Sequence, residues 1–207
     1  MLKEVDRVAK EFLELSKNKP IRIVSHYDSD GITSAAILAK AFKRLDKKFS
    51  IKIVKGLEED IIRKELSRQP KELIVFSDLA SGSLEYFQKL QEPIFILDHH
   101  EIHKEQLNDK IKIINPHLFE NVEDNSCTGA GVCYLFAKAL SPKNADLSSL
   151  AIIGMIGDRH ESNLSKINQQ IINDTTDLTI RKGLVLYPAT RPLRRALEYS
   201  TSPYIPG

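Results

Sequence analysis

The feature that most constrains this chain is an alternation that runs through its first 115 residues: short apolar, β-branched runs separated by stretches with helical spacing. Ile21-Arg22-Ile23-Val24-Ser25, Ile51 to Val54, Glu72 to Ser77, Ile94 to Leu97 and Lys112-Ile113-Ile114 read as strands. Leu2, Val5, Val8, Ala9 and Phe12 form a helical stripe that predicts a helix to about Ser16, and Ile32 to Leu45, Glu58 to Arg68 and Ser83 to Leu90 fill the gaps between strands. Strands linked by helices predict an α/β fold, with a parallel sheet of about five strands and helices on both faces. The near-continuous apolar runs agree, because parallel strands are normally buried on both sides. Beyond Asn115 the pattern turns helical, over Gly129 to Leu140, Leu147 to Ile156, Ile167 to Ile180 and Arg191 to Tyr199. The expected organisation is one domain over 1–207, with an α/β core at about 20–115 and a helical portion at about 127–200.

With 207 residues, 42% of them hydrophobic and 28% charged, the chain can bury a sizeable core. It has no run of about 18 apolar residues, and it opens on a charged amphipathic pattern. A membrane span and a signal peptide are therefore not expected, and the predicted location is the cytoplasm. Cys127 and Cys133, six apart at a helix start, read as buried free thiols. A net charge of +2 does not announce a nucleic-acid binder. Arg181, Lys182, Arg191, Arg194 and Arg195 fall in a stretch without acids, which suits either a phosphate track or a solvated basic face.

The chemistry sits where strands end. Val24-Ser25 runs into His26-Tyr27-Asp28-Ser29-Asp30, Phe76-Ser77 into Asp78, and Ile96-Leu97 into Asp98-His99-His100. In a parallel sheet these ends open on one edge, where ligands bind. Asp158, after the apolar run Ala151 to Gly157, is a fourth acidic contribution. Taken singly, each site has a plain structural reading: an acid after a strand is a common helix N-cap, and Asp30 before Gly31 resembles a turn. Taken together, so many carboxylates beside imidazoles would repel one another unless cations lay among them. Carboxylates with a minority of histidine and no cysteine suit Mn²⁺, with Mg²⁺ second.

His26-Tyr27-Asp28-Ser29-Asp30-Gly31, Asp78, Asp98-His99-His100 and Gly157-Asp158 resemble, in order, the four motifs of the DHH phosphoesterase superfamily. Thr190-Arg191-Pro192-Leu193 and the tail Ser202 to Gly207 resemble its archaeal RecJ-like branch. The resemblance implies a Rossmann-like DHH domain with two metal ions, Mn²⁺ first. One would be held by His26, Asp28 and Asp78, the other by Asp30, Asp78, His99 and Asp158, with Asp78 bridging. Asp98 would orient an imidazole and His100 would contact the scissile phosphate, which makes Asp30, Asp78, His99 and His100 the catalytic group. The implied reaction is attack of a metal-bound hydroxide on a phosphodiester, in a single-strand-specific DNA or RNA exonuclease. Two alternatives stay open: a phosphodiesterase for oligonucleotides or cyclic dinucleotides, and a replication scaffold that binds a complex such as GINS. Ser126 to Gly131 opens a helix, so the amides of Gly129 and Gly131 could meet a phosphate, although close helix packing explains the small residues equally well. Arg159 and His160 are in reach of a substrate, with a salt bridge and a surface histidine as the plainer readings. RecJ-like enzymes continue into a second, substrate-binding domain with a glycine-rich histidine motif, and no such motif occurs here. The expectation is a catalytic fragment of a longer protein, or a core that borrows its substrate grip from a partner.

Overall fold

The computed structural model describes residues 1–119, 126–162, 164–176, 178–179 and 192–200. Five parallel strands form one sheet: β1 (Ile21–His26), β2 (Phe49–Val54), β3 (Leu73–Ser77), β4 (Ile94–Leu97) and β5 (Ile111–Ile114), in the order β2-β1-β3-β4-β5. Pairing is in register from Ile21↔Phe49 and Ile21↔Leu73 onward, so β1 and β3 end level with each other. Strands β1, β3, β4 and β5 alternate their side chains between two buried faces. Ile21, Ile23, Leu73, Val75, Phe95, Leu97 and Ile114 point to one core, and Val24, Ile74, Phe76, Ile94, Ile96, Ile111 and Ile113 to the other.

On the first face lie α1 (Leu2–Leu15), α2 (Ser29–Arg44) and α4 (Gly129–Leu140), with α5 (Ser148–Gly157) packed on α2 and α4, and α6 (Lys166–Asn173) on α5. Helix α1 buries Val5, Val8, Ala9 and Phe12, the i, i+3, i+4, i+7 stripe of an amphipathic helix. Phe12 stacks on Phe42 at 5.0 Å and meets Phe95 and Phe136 edge-on at 5.3 Å each, which joins α1, α2, β4 and α4 at one point. The second face is covered by α3 (Glu59–Leu66) and by a 3₁₀ segment over Ser81–Phe87, where the sequence predicts a helix over Ser83 to Leu90. Arg22 of β1 is buried there against Glu65 of α3, Nε to Oε2 at 2.8 Å, with Lys52 Nζ at 3.1 Å from Oε1.

The α/β expectation holds, and helix α4 lies against the sheet itself. Its Val132, Cys133, Tyr134, Leu135, Phe136 and Ala137 are all buried, so the helical portion shares the strands' core. Both cysteines are free and buried. Strand β2 departs from the two-sided burial read from its sequence: it lies at the sheet edge, with Ile51 42% and Ile53 43% exposed.

The chain divides into a unit over Met1–Asp177 and a second over Leu178–Gly207. In the second, helix α7 (Leu193–Glu198) carries Arg194 and Arg195 on its exposed surface, and Arg195 pairs with Glu198 at 3.2 Å. Arg181, Lys182, the Thr190-Arg191 pair and the tail from Ser202 lie outside the described residues. Among the described residues no helix is long and apolar enough to cross a membrane.

Candidate metal centre

The strand order reverses between β1 and β3, and in open parallel sheets the crevice beyond such a point is where ligands bind. The two strands are locked at that level by paired buried hydroxyls. Ser77 Oγ donates to Ser25 Oγ at 2.8 Å, and Ser25 Oγ reaches the Gly31 carbonyl at 2.7 Å, which fixes the first turn of α2 over the end of β1. His26 closes β1, and Asp28 caps α2: its Oδ1 accepts the Gly31 amide at 2.9 Å while its Oδ2 lies 2.7 Å from His26 Nδ1. One oxygen of Asp28 therefore caps the helix, and the other faces His26. Helix α2 begins at Ser29, three residues before the expected start, because Asp28 supplies that cap.

Asp78 follows β3 in the left-handed region, φ 56°, which acidic residues enter more readily than most. It is 2% exposed, and among the described residues neither carboxylate oxygen has a hydrogen-bond partner. Oδ2 faces His26 Nδ1 at 3.8 Å, and Oδ1 faces His99 Nε2 at 3.3 Å. His99 Nε2, also without a hydrogen-bond partner, lies 3.7 Å from Asp30 Oδ2 and 3.3 Å from Asp158 Oδ2. The structure thus brings His26, Asp28, Asp30, Asp78, His99 and Asp158 into one crevice, although Asp158 is far from the others in sequence.

Electrostatics make the crowding explicit. Burial first, then the neighbouring carboxylates Asp30 and Asp98, push the Asp78 carboxyl up to about 10. Burial and Asp30 raise Asp158 to about 6. Without a cation, the site opposes its own ionisation. Among the described residues three donor groups are compact enough for a metal ion, with ligand atoms within 4.8 Å of one another: His26, Asp28 and Asp78; Asp78, Asp98, His99 and His100; and His99, Asp158 and His160. Orphaned buried oxygens amid oxygen and imidazole donors fit Mn²⁺ or Mg²⁺.

Asp98 is fully buried and works on its own loop. Its Oδ2 accepts the Ser81 amide at 2.9 Å, and its Oδ1 accepts the His99 amide at 2.8 Å and lies 2.8 Å from His100 Nδ1. Burial alone would raise this carboxyl, but the His100 hydrogen bond and charge together with the Ser81 N–H hold it at about 2. The same loop is braced by Asn115 Nδ2 on the His100 carbonyl at 2.9 Å and by His117 Nε2, 3.1 Å from the His99 carbonyl. These supports carry no sequence signal beyond an ordinary polar residue after a strand.

Gly129 and Gly131, expected to offer amides to a substrate phosphate, are committed inside the protein. The Gly129 amide donates to Asp30 Oδ2 at 2.6 Å and the Ala130 amide to Asp30 Oδ1 at 3.0 Å, so the anion held at the N-terminus of α4 is Asp30. A side chain on Gly129 would come within 2.6 Å of Asp78 Oδ1. The Gly131 amide goes to Thr128 Oγ1 at 3.3 Å. The packing reading of both glycines prevails, and they leave the substrate-binding set. Arg159 adopts φ 61° directly after Asp158. The plain surface reading of His160 fails, because it joins His99 and Asp158 in a donor group and its Nδ1 is buried without a hydrogen-bond partner.

A sequence profile of the DHH family, N-terminal domain, matches residues 20–173. An uncharacterized protein of Methanocaldococcus jannaschii is 35% identical over 214 residues, spanning 99% of this chain and 49% of the relative. The SPbeta prophage-derived YorK of Bacillus subtilis, whose designation as a single-strand DNA-specific exonuclease is provisional, is 26% identical over 97% of this chain and 35% of its own length. The crystal structure of exonuclease RecJ bound to manganese superposes with a TM-score of 0.68 at 23% identity, covering 84% of this chain and 47% of that one, a likeness of fold. The chain spans half or less of the length of these relatives.

Proposed function

The chain belongs to the DHH family, a fold and motif set of phosphoesterases, and from that membership we propose that it hydrolyses phosphodiester bonds in single-stranded DNA or RNA with two divalent cations, Mn²⁺ foremost. The observation that carries this reading is Asp78: a buried carboxylate with two unpartnered oxygens, one turned to His26 and the other to His99. His26, Asp28 and Asp78 would hold one ion, and Asp30, Asp78, His99 and Asp158 the other. When bound, such a pair would neutralise phosphate charge and lower the pKa of an attacking water.

The rest follows from the chain's own groups. Asp30 keeps one lone pair per oxygen for ligation after accepting the two α4 amides, so its position is set before any ligand arrives. His100 is half-exposed, and because its Nδ1 is tied to Asp98, its Nε2 is left to donate to a non-bridging phosphate oxygen. The Asp98 hydrogen bond raises the His100 pKa, which favours the donor form. The designation of YorK supports a single-stranded substrate, and the manganese of the RecJ structure supports the choice of ion.

The test is hydrolysis of end-labelled single strands of DNA and RNA, short and long, beside a duplex and a cyclic dinucleotide, with Mn²⁺ or with chelator. Cation-dependent release of nucleotides from single strands is expected. Turnover of the cyclic dinucleotide alone would move the substrate to a small diester. No cation-dependent cleavage of any diester would overturn the reading.

A further inference from the structure

We propose that His160, which lies outside the family motifs, is a further ligand of the cation on the His99–Asp158 side of the centre. The inference rests on the two-cation reading above. It begins with the backbone. Helix α5 stops at Gly157, with Asp158 at its C-cap, and Arg159 then turns through the left-handed region at φ 61°. The 3₁₀ segment His160–Ser162 follows at once and brings its first side chain beside His99 and Asp158.

The side chains agree. Ligand atoms of His99, Asp158 and His160 lie within 4.8 Å of one another, and the rings of His99 and His160 stand 6.3 Å apart at 73°. Among the described residues, His160 Nδ1 and His99 Nε2 are both buried without a hydrogen-bond partner, which is unfavourable for each unless a ligand meets it. Asp78 Oδ1, equally buried and unpartnered, is 3.3 Å from His99 Nε2 on the other side. Two imidazole nitrogens and the Asp158 carboxylate, all within 4.8 Å of one another, form a donor set for a borderline divalent ion. They disfavour Mg²⁺, which prefers oxygen ligands and holds its waters. His160 therefore makes this half of the centre selective for Mn²⁺ over Mg²⁺.

The experiment is Mn²⁺ titration of the full chain by calorimetry and electron paramagnetic resonance, on the unaltered protein, His160→Ala and His160→Leu, with pulsed measurements of nitrogen coupling and a Mg²⁺ competition series. The unaltered protein is expected to take up two Mn²⁺. Both variants should keep one ion at unchanged affinity, bind the other about 10- to 100-fold more weakly, lose the coupling of one imidazole and yield more readily to Mg²⁺. His160→Leu retains the bulk of the ring, so a variant that melts normally in chelator still gives the answer if the alanine form does not fold. Two Mn²⁺ bound by the variants with unchanged affinity and nitrogen coupling would overturn the role of His160 and leave the two-cation reading standing. An unaltered protein that binds no Mn²⁺ would overturn both.

Discussion

Replacing Asp78 with asparagine should stabilise the metal-free protein while destroying its capacity for metal. The carboxyl is 2% exposed, without partners, and pushed from its ordinary 3.8 to about 10 by burial and by Asp30 and Asp98. Its folded pKa lies above the unfolded one, so the native state binds more protons and stability falls as pH climbs past 3.8. At about 1.4 kcal/mol per pH unit, folding at pH 7 carries a cost of about 4 kcal/mol that an amide does not. Between pH 5 and pH 8 the advantage of Asp78→Asn should therefore widen by about 4 kcal/mol. The assay is urea denaturation of both proteins in chelator across that range. With Mn²⁺ the order should invert, since each site saturated at 100 times its dissociation constant adds about 2.7 kcal/mol to the protein that binds. A variant no more stable than the parent at pH 8 in chelator would refute the reasoning, because Asp78 would then be held by favourable contacts of its own.

Gly154→Ala should lose stability even though alanine is the better helix former. The new Cβ would lie 2.4 Å from Asp30 Oδ1 and 2.5 Å from Ala130 Cβ, an overpacking expected to cost about 1–3 kcal/mol and to weaken Mn²⁺ binding; a raised denaturation midpoint would contradict it. Arg22→Met should cost about 1–3 kcal/mol, because the buried Glu65 loses its Arg22 partner and keeps only Lys52, and adding Glu65→Leu should recover most of the loss, as denaturant titration of the single and double variants would show. Burial tends to raise the Glu65 carboxyl, but hydrogen bonds from Arg22 and Lys52 outweigh it and hold the group below its ordinary 4.5. Its contribution is full above that value and lost as pH falls through the folded one, so the double variant should show a flatter acid limb of stability against pH.

The strands and the crevice were legible because each apolar run is closed by the acid or imidazole that serves the site, and a parallel sheet brings such ends to one edge. What the sequence hides is set by contacts across the chain. Nothing near Asp30 announces that its oxygens take the first amides of a helix about a hundred residues later, which turned Gly129 from a candidate phosphate contact into part of the packing around Asp30 and Asp78. His160 looked like a surface histidine because its direction depends on one positive φ at Arg159, and an arginine gives no sign of that. Ile51 and Ile53 read as buried on both sides because composition cannot distinguish an edge strand from a central one.

The bonds from Asp30 to the first turn of α4 also order events in time. A chain that lengthens from its N-terminus completes β1, β3 and β4, with His26, Asp78 and His99 at their ends, well before α4 and α5 exist. During that interval Asp30 lacks its anchoring amides and Asp158 has not been made. The donor set closes only once both helices have docked, so an incomplete chain holds most of the ligands but lacks Asp158 and the amides that fix Asp30. Competence for metal is in that sense a report that the whole of Met1–Asp177 has folded.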